Sequence, residues 1–258
     1  MASARNFPVI LTYHSISIGP SPLEIPPKIF VEQMEWLAAR ARVCSLAELV
    51  QILKSGSPLP ERTAVITFDD GYADFAEHAA PELARLKFPA TVFLPTAHLG
   101  GFNTWSDAYL SRKPLMTWEQ IRALAAQGIT FGSHSVSHPN LTTLSEEALE
   151  RELALSKAEI ETHTGQRVEF FCYPYGRWSP KVRSAVLRHY SAACSTGAGL
   201  VEPDADPFAL PRVDAHYVRI LSVFRTLFTE RFAAYVGFRR MLRMLRGAPE
   251  GYYARNPA

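Results

Sequence analysis

Thr63-Ala64-Val65-Ile66-Thr67-Phe68-Asp69-Asp70-Gly71-Tyr72 joins a β-branched and aromatic run to two adjacent carboxylates and a glycine. The run has the composition of a buried strand, and Gly71 marks a turn. Side chains alternate across an extended backbone, so neighbouring acids can serve one site only where the strand has just ended. Asp69 and Asp70 are therefore expected at a strand's carboxyl edge.

A second run, Ile129-Thr130-Phe131-Gly132-Ser133, leads into His134-Ser135-Val136-Ser137-His138, so two imidazoles four residues apart are expected at the same kind of edge. In parallel α/β folds that edge carries the ligand sites. Two neutral imidazoles and one carboxylate make the ligand set of a catalytic zinc centre with an open position, leaving the second carboxylate free to take a proton. The pattern reads as a metal-dependent hydrolase. Either piece alone also occurs as a strand-capping turn or a surface histidine pair, and the conjunction carries the specificity.

Working outward, strands are predicted at Val9 to Tyr13, Thr63 to Phe68, Ala90 to Leu94, Ile129 to Gly132, Phe170 to Tyr173, Ser191 to Cys194 and Phe208 to Val213. Helices alternate with them. Ser45 with Glu48 and Thr117 with Gln120 read as capping boxes, Ser179 precedes Pro180 at a first helical position, and Ser145 opens the longest helix, closed by Gly165. Pro81 is expected to split the helix that follows the acidic pair. Such alternation predicts a parallel α/β sheet.

The residues TFDDGY at 67 to 72, SHSVSH at 133 to 138 and YPYG at 173 to 176 resemble the polysaccharide deacetylases that share the NodB homology domain, carbohydrate esterase family four. The resemblance spans about Pro8 to Val213. It implies a distorted (β/α) barrel with an incomplete strand count, and it assigns Asp69 as general base and Asp70, His134 and His138 as metal ligands. It further implies that the backbone N–H of Tyr175 helps hold the oxyanion of a tetrahedral intermediate, a donor worth roughly 3 to 4 kcal/mol in comparable sites. The implied reaction removes an N-acetyl group from an amino sugar of a glycan or lipid-linked glycan precursor, releasing acetate. Two alternatives stand beside it: an amidohydrolase acting on another non-peptide C–N bond, such as a formamide or ureide, and a catalytically silent glycan-binding module.

Two positions depart from the family pattern. Many members carry an arginine two residues before the proline of the third motif, where this chain has Cys172. Arg212, in Leu210-Pro211-Arg212-Val213, is the candidate substitute brace for Asp69, with a solvated strand-end arginine as the alternative; Cys172 reads as a small buried residue. The usual late leucine-x-histidine motif is also indistinct, which leaves His14 or His216 as the general acid. The Tyr13-His14 pattern looks like the branch that includes bacterial exopolysaccharide and poly-N-acetylglucosamine deacetylases, where a histidine from the first strand can serve the site. Imidazole suits the role because its unperturbed pKa is about 6.5. His78, His98, His163 and His189 need no chemical role.

Zinc is the default cation for this ligand set, and Co2+, Ni2+ or Fe2+ would fit the same donors. Two stretches, Ile18 to Lys28 and Ala97 to Pro114, read as loops around the barrel mouth; within and near them Trp105 or Trp178 could stack on a sugar ring or simply pack, and Asp107 could cap a helix.

The whole chain has 258 residues, 47% of them hydrophobic, and a formal charge of +2, which suits one enzyme domain and gives no argument for a nucleic-acid partner. Residues 1–218 are assigned to the catalytic domain and 219–258 to a basic amphipathic helical extension. From Arg219 to Arg246 seven arginines face a single acid, Glu230, interleaved with apolar residues. That pattern fits either a helix packed on the barrel with a solvated basic face or one lying on an anionic membrane surface. Met1 to Asn6 holds no long apolar run, and Cys44, Cys172 and Cys194 show no redox or metal spacing. These features predict a cytoplasmic enzyme, peripheral to the inner membrane face if the extension binds lipid.

Overall fold

The strand runs that are apolar on both faces have one stable home, a sheet covered on each side, and here the sheet closes on itself. The structure is a computed structural model describing residues 7–105 and 112–245, with side chains to residue 242. Its strands are β1 (Val9–Tyr13), β2 (Arg42–Val43), β3 (Thr63–Phe68), β4 (Ala90–Leu94), β5 (Thr130–Ser133), β6 (Phe170–Cys172), β7 (Ala192–Ala198) and β8 (Leu210–Asp214). All pairings between them are parallel, and β1 pairs with both β8 and β3, which closes seven strands into a barrel. This is the expected distorted (β/α) barrel, one strand short of eight. The two-residue β2 lies beside the start of β3, below the point where β4 begins to pair; it is too short for its composition to announce.

Helices α1 (Pro27–Arg40), α2 (Leu46–Ser55), α3 (Ala80–Leu86), α4 (Trp118–Ala126), α5 (Glu146–Thr164), α6 (Pro180–His189), α7 (Leu221–Phe224) and α8 (Glu230–Leu245) complete the fold. Thr117 and Gln120 form the full capping box of α4. At α2 only half of the expected box exists: Ser45 accepts from Glu48 N, while the Glu48 carboxylate pairs with Arg42. Pro81 does split its helix, leaving a π-turn over Phe75–Ala79 before α3.

Period-2 alternation sorts the side chains. Val9, Leu11, Tyr13, Ala64, Ile66 and Phe68 point to the helices, whereas Ile10, Val65, Phe93, Cys172, Cys194 and Leu210 fill the barrel. Leu46, Leu49 and Val50 of α2 join the inner cluster, so this helix plugs the amino end of the barrel and leaves the carboxyl end for chemistry. Phe224 of α7, Leu227 and Phe228 of the turn that follows, and Phe232 and Val236 of α8 belong to the outer core, with Phe228 stacked on Trp36 at 6.2 Å. Among the described residues no helix is long and apolar enough to cross a membrane.

Candidate active site

Each chemistry-bearing segment leaves the barrel at the carboxyl end of a strand. β3 ends at Phe68, yet Asp69 N still donates to Tyr13 O at 2.9 Å, which holds Asp69 in line with the strand. Asp70 then takes a left-handed φ of 70° and Gly71 one of 66°, reversing the chain so that the second carboxylate turns to the same mouth. A side chain at Gly71 would meet Leu94 at 2.7 Å. Ser135, His138 and Tyr175 also have positive φ, at 68°, 56° and 58°. Each such non-glycine costs roughly 1 to 3 kcal/mol, and four of them gather at one mouth.

The His134 loop is fixed by a residue that the motif reading missed. Glu152 of α5 accepts from Val136 N at 2.7 Å, Ser137 N at 2.9 Å and Ser137 Oγ at 2.7 Å. Ser135 Oγ accepts from His138 N at 3.0 Å, completing the turn. The signal for Glu152 lay only in its place on the helix after the motif, where many glutamates do nothing.

Asp70 Oδ1 lies 3.6 Å from His134 Nε2 and 3.5 Å from His138 Nε2, and the two imidazole nitrogens are 3.2 Å apart. Bonds of about 2.0 to 2.1 Å in tetrahedral geometry would separate donor atoms by about 3.3 to 3.4 Å, so the three atoms fit one small divalent cation. The tautomers agree with this. His134 Nδ1 lies 2.7 Å from Cys172 O and donates to it, which leaves Nε2 with a bare lone pair. Burial pushes the His138 pKa well below its usual value, aided by His134, and keeps that ring neutral. Burial also pushes Asp70 up, against the pull of His14 and His134, so its charge calls for a positive partner. A second trio, Asp69, His134 and Cys172, also lies within ligand range. It fits poorly, because burial holds the Cys172 thiol protonated and Asp69 is already claimed.

The claimant is Arg212. Its Nη1 donates to Asp69 Oδ1 at 2.8 Å and its Nη2 to Oδ2 at 2.7 Å, while Nε donates to Ser195 O at 2.9 Å. It runs inside the barrel at 2% exposure, 5.8 Å over the Phe93 ring, with Nη2 3.0 Å from Cys172 Sγ. Burial alone would raise the Asp69 pKa, but the Arg212 charge and hydrogen bonds outweigh it and hold the carboxyl well below the usual range. The small Cys172 side chain leaves room for this guanidinium.

His14 Nε2 lies 3.9 Å from Asp69 Oδ2, at 16% side-chain exposure. His216 is exposed, touches the Tyr217 ring at 5.5 Å and does not meet the acidic pair. The Tyr175 ring sits edge-on to His138 at 4.6 Å. Trp105 stacks on His138 at 4.5 Å, whereas Trp178 stacks on Tyr173 and packs on the outer core. Asp107 lies outside the described residues. Of the histidines set aside, His98 meets Trp105 at 4.8 Å, His163 stacks on Trp118, His189 pairs with Glu150, and His78 is exposed. The two mouth loops are pinned by Lys113, whose ammonium meets Glu24 at 2.7 Å and Asp74 at 3.7 Å.

The family profile described as polysaccharide deacetylase matches residues 56–191. The Bacillus subtilis protein YxkH, which bears a polysaccharide-deacetylase name, is 31% identical over 206 residues, covering 79% of this chain and 70% of its own. A poly-beta-1,6-N-acetyl-D-glucosamine N-deacetylase of Staphylococcus aureus is 27% identical over 192 residues, covering 71% of this chain; the match spans 65% of that enzyme. Among solved structures, IcaB from Ammonifex degensii superposes with a TM-score of 0.69 at 24% identity, covering 81% of this chain and 91% of its own. The Streptococcus pyogenes deacetylase PplD, solved with acetate, superposes with 0.70 at 23% identity, covering 81% and 92%. At that identity the superpositions establish the fold.

Proposed function

The chain belongs to the polysaccharide deacetylase family, and from that premise we propose that it removes the N-acetyl group from an N-acetylated amino sugar in a glycan or lipid-linked glycan precursor, releasing acetate. The observation that carries the reading is the convergence of Asp70, His134 and His138 at mutual distances of 3.2 to 3.6 Å beside a separately braced Asp69. The staphylococcal relative, whose name specifies an N-acetylglucosamine polymer, supports the substrate class.

In this reading Asp70, His134 and His138 hold one divalent cation, with zinc the default. When bound, such an ion polarises a carbonyl oxygen and makes water more acidic. Asp69, kept ionised by Arg212, takes the proton of the attacking water. In this reading that proton moves on from Asp69 to His14, whose Nε2 lies 3.9 Å from Oδ2, and His14 gives it to the departing amine nitrogen. The exposure of His216 favours His14 for this role. The Tyr175 N–H would help hold the oxyanion of the tetrahedral intermediate.

Purified, metal-loaded protein is expected to release acetate from N-acetylglucosamine oligomers and no formate from N-formyl analogues. Formate release without acetate would reject the substrate assignment.

We also propose that the basic segment beginning at Arg219, which packs on the barrel through its apolar residues, lays its outer face on an anionic membrane. Phe232 and Val236 face the barrel, while Phe238 and Met241 project outward at 53% and 49% exposure, alongside exposed Arg231. An apolar stripe flanked by arginine suits the headgroup boundary, each arginine near such a surface adding about 1 kcal/mol. Truncation is the wrong test, because Phe224 to Val236 supplies core residues. Full-length protein is expected to co-sediment with phosphatidylglycerol vesicles and not with phosphatidylcholine vesicles, and Phe238→Ser/Met241→Ser to weaken that binding at least about 10-fold, the effect of losing two apolar anchors. Equal, negligible binding by both proteins would reject the contact.

A further inference from the structure

A buried metal-ligating imidazole ordinarily donates its second ring nitrogen to a carboxylate or carbonyl, which fixes the ring. His134 follows this rule through Cys172 O at 2.7 Å. His138 does not: among the described residues its buried Nδ1 has no hydrogen-bond partner. It also sits on strained backbone, at φ 56°. Yet the ring is not loose, because Trp105 stacks on it at 4.5 Å with 29° between planes and Tyr175 meets it edge-on at 4.6 Å.

Trp105 is held where it can do this. Residues 100–103 and 113–116 form a short antiparallel ribbon, with Gly100 N to Met116 O at 2.9 Å, Leu115 N to Gly101 O at 3.0 Å and Asn103 N to Lys113 O at 3.1 Å. The ribbon is bonded in turn to the acidic turn, through Met116 N to Gly71 O at 2.9 Å and Ala73 N to Pro114 O at 3.0 Å. The indole packs against the small cluster of Tyr72 and Leu115. The plate beneath His138 is thus referenced to the backbone that carries Asp70.

We infer that Trp105 is a positioning residue for His138, an aromatic clamp that replaces the missing hydrogen bond at Nδ1 and keeps Nε2 aimed at the point shared with Asp70 and His134. The inference rests on the reading of His138 as a metal ligand. An imidazole that shares charge with a cation is electron-poor, and an indole face is the strongest aromatic partner for it. One face of Trp105 is committed to this contact and is not open to a sugar ring.

The test uses the full chain with zinc as the probe, measured by chelator competition, and the cobalt-substituted absorption spectrum as a report on ligand geometry. Trp105→Ala is expected to weaken zinc binding about 10- to 100-fold, the range seen when a supporting partner of a ligand is lost. It should also alter the cobalt bands while lowering the metal-free melting temperature by only about 2 to 4 °C, since the half-buried indole lies on a mouth loop and packs on the small Tyr72 and Leu115 cluster. Trp105→Phe should restore affinity to within about threefold, because a ring of lesser area still stacks. Wild-type affinity in Trp105→Ala, or equal loss in Trp105→Phe, would overturn the clamp provided His138→Ala loses the metal. Retention of zinc by His138→Ala would instead overturn the ligand assignment itself.

Discussion

Asp69→Asn is expected to lower turnover by about 10²- to 10⁴-fold, the usual contribution of a positioned general base, with one cation still bound per chain. The contrast with His134→Ala and His138→Ala is the informative part. Those variants remove donor atoms that lie 3.2 Å apart and are expected to lose cation and turnover together. Asp69 can be separated from the ligand set because both of its oxygens are engaged by Arg212, at 2.8 and 2.7 Å. Elemental analysis beside an acetate-release assay decides the matter. A metal-loaded Asp69→Asn enzyme of undiminished rate would end its role as base, and full occupancy in the histidine variants would end theirs as ligands.

Arg212→Met is expected to cost about 3 to 5 kcal/mol of stability near neutral pH, the effect of stranding one partner of a buried ion pair. The pH dependence gives this its sign. In the wild type Asp69 has a native pKa below its unfolded value of about 4, so between the two the unfolded chain binds more protons and stability rises with pH, complete above about 4. Without Arg212 the burial that opposes ionisation is countered only by the weaker pull of His134 and His14. The native pKa then lies above the unfolded one, and stability falls as pH rises through that interval. Urea melts of metal-free protein should therefore show the gap between wild type and variant narrowing toward pH 4 and widening toward pH 8. A pH-independent gap would mean that Arg212 acts through packing and not through the Asp69 charge. The double variant Asp69→Asn/Arg212→Met, with no charge left to strand, should recover most of the stability and none of the turnover.

What could be read from the chain followed from local rules. Seven apolar or β-branched runs announced the barrel strands, because a strand covered on both faces needs nothing but its own composition. The approach of Asp70 to the two histidines was legible for the same reason: a turn glycine after one strand and an i, i+4 histidine pair after another each place donors at a strand end. Glu152 and Trp105 were not legible in their roles, since a helix glutamate and a loop tryptophan have many equivalent uses until neighbours are known. The two-residue β2 exists only because β3 offers it an edge.

Sequence alone thus determined the parallel strands, the edge that carries chemistry and the four side chains gathered there, because strand propensity and turn chemistry act over a few residues; the barrel was implied by the motif resemblance and not by the local pattern. The tertiary structure alone decided how Asp69 is held and which histidine stands near it. Arg212 reaches Asp69 across 143 residues, and it does so because the β7–β8 register turns that side chain into the barrel. One residue of slip would have turned it outward. No local pattern encodes that choice, since it is made by the closure of β8 on β1 and of β1 on β3.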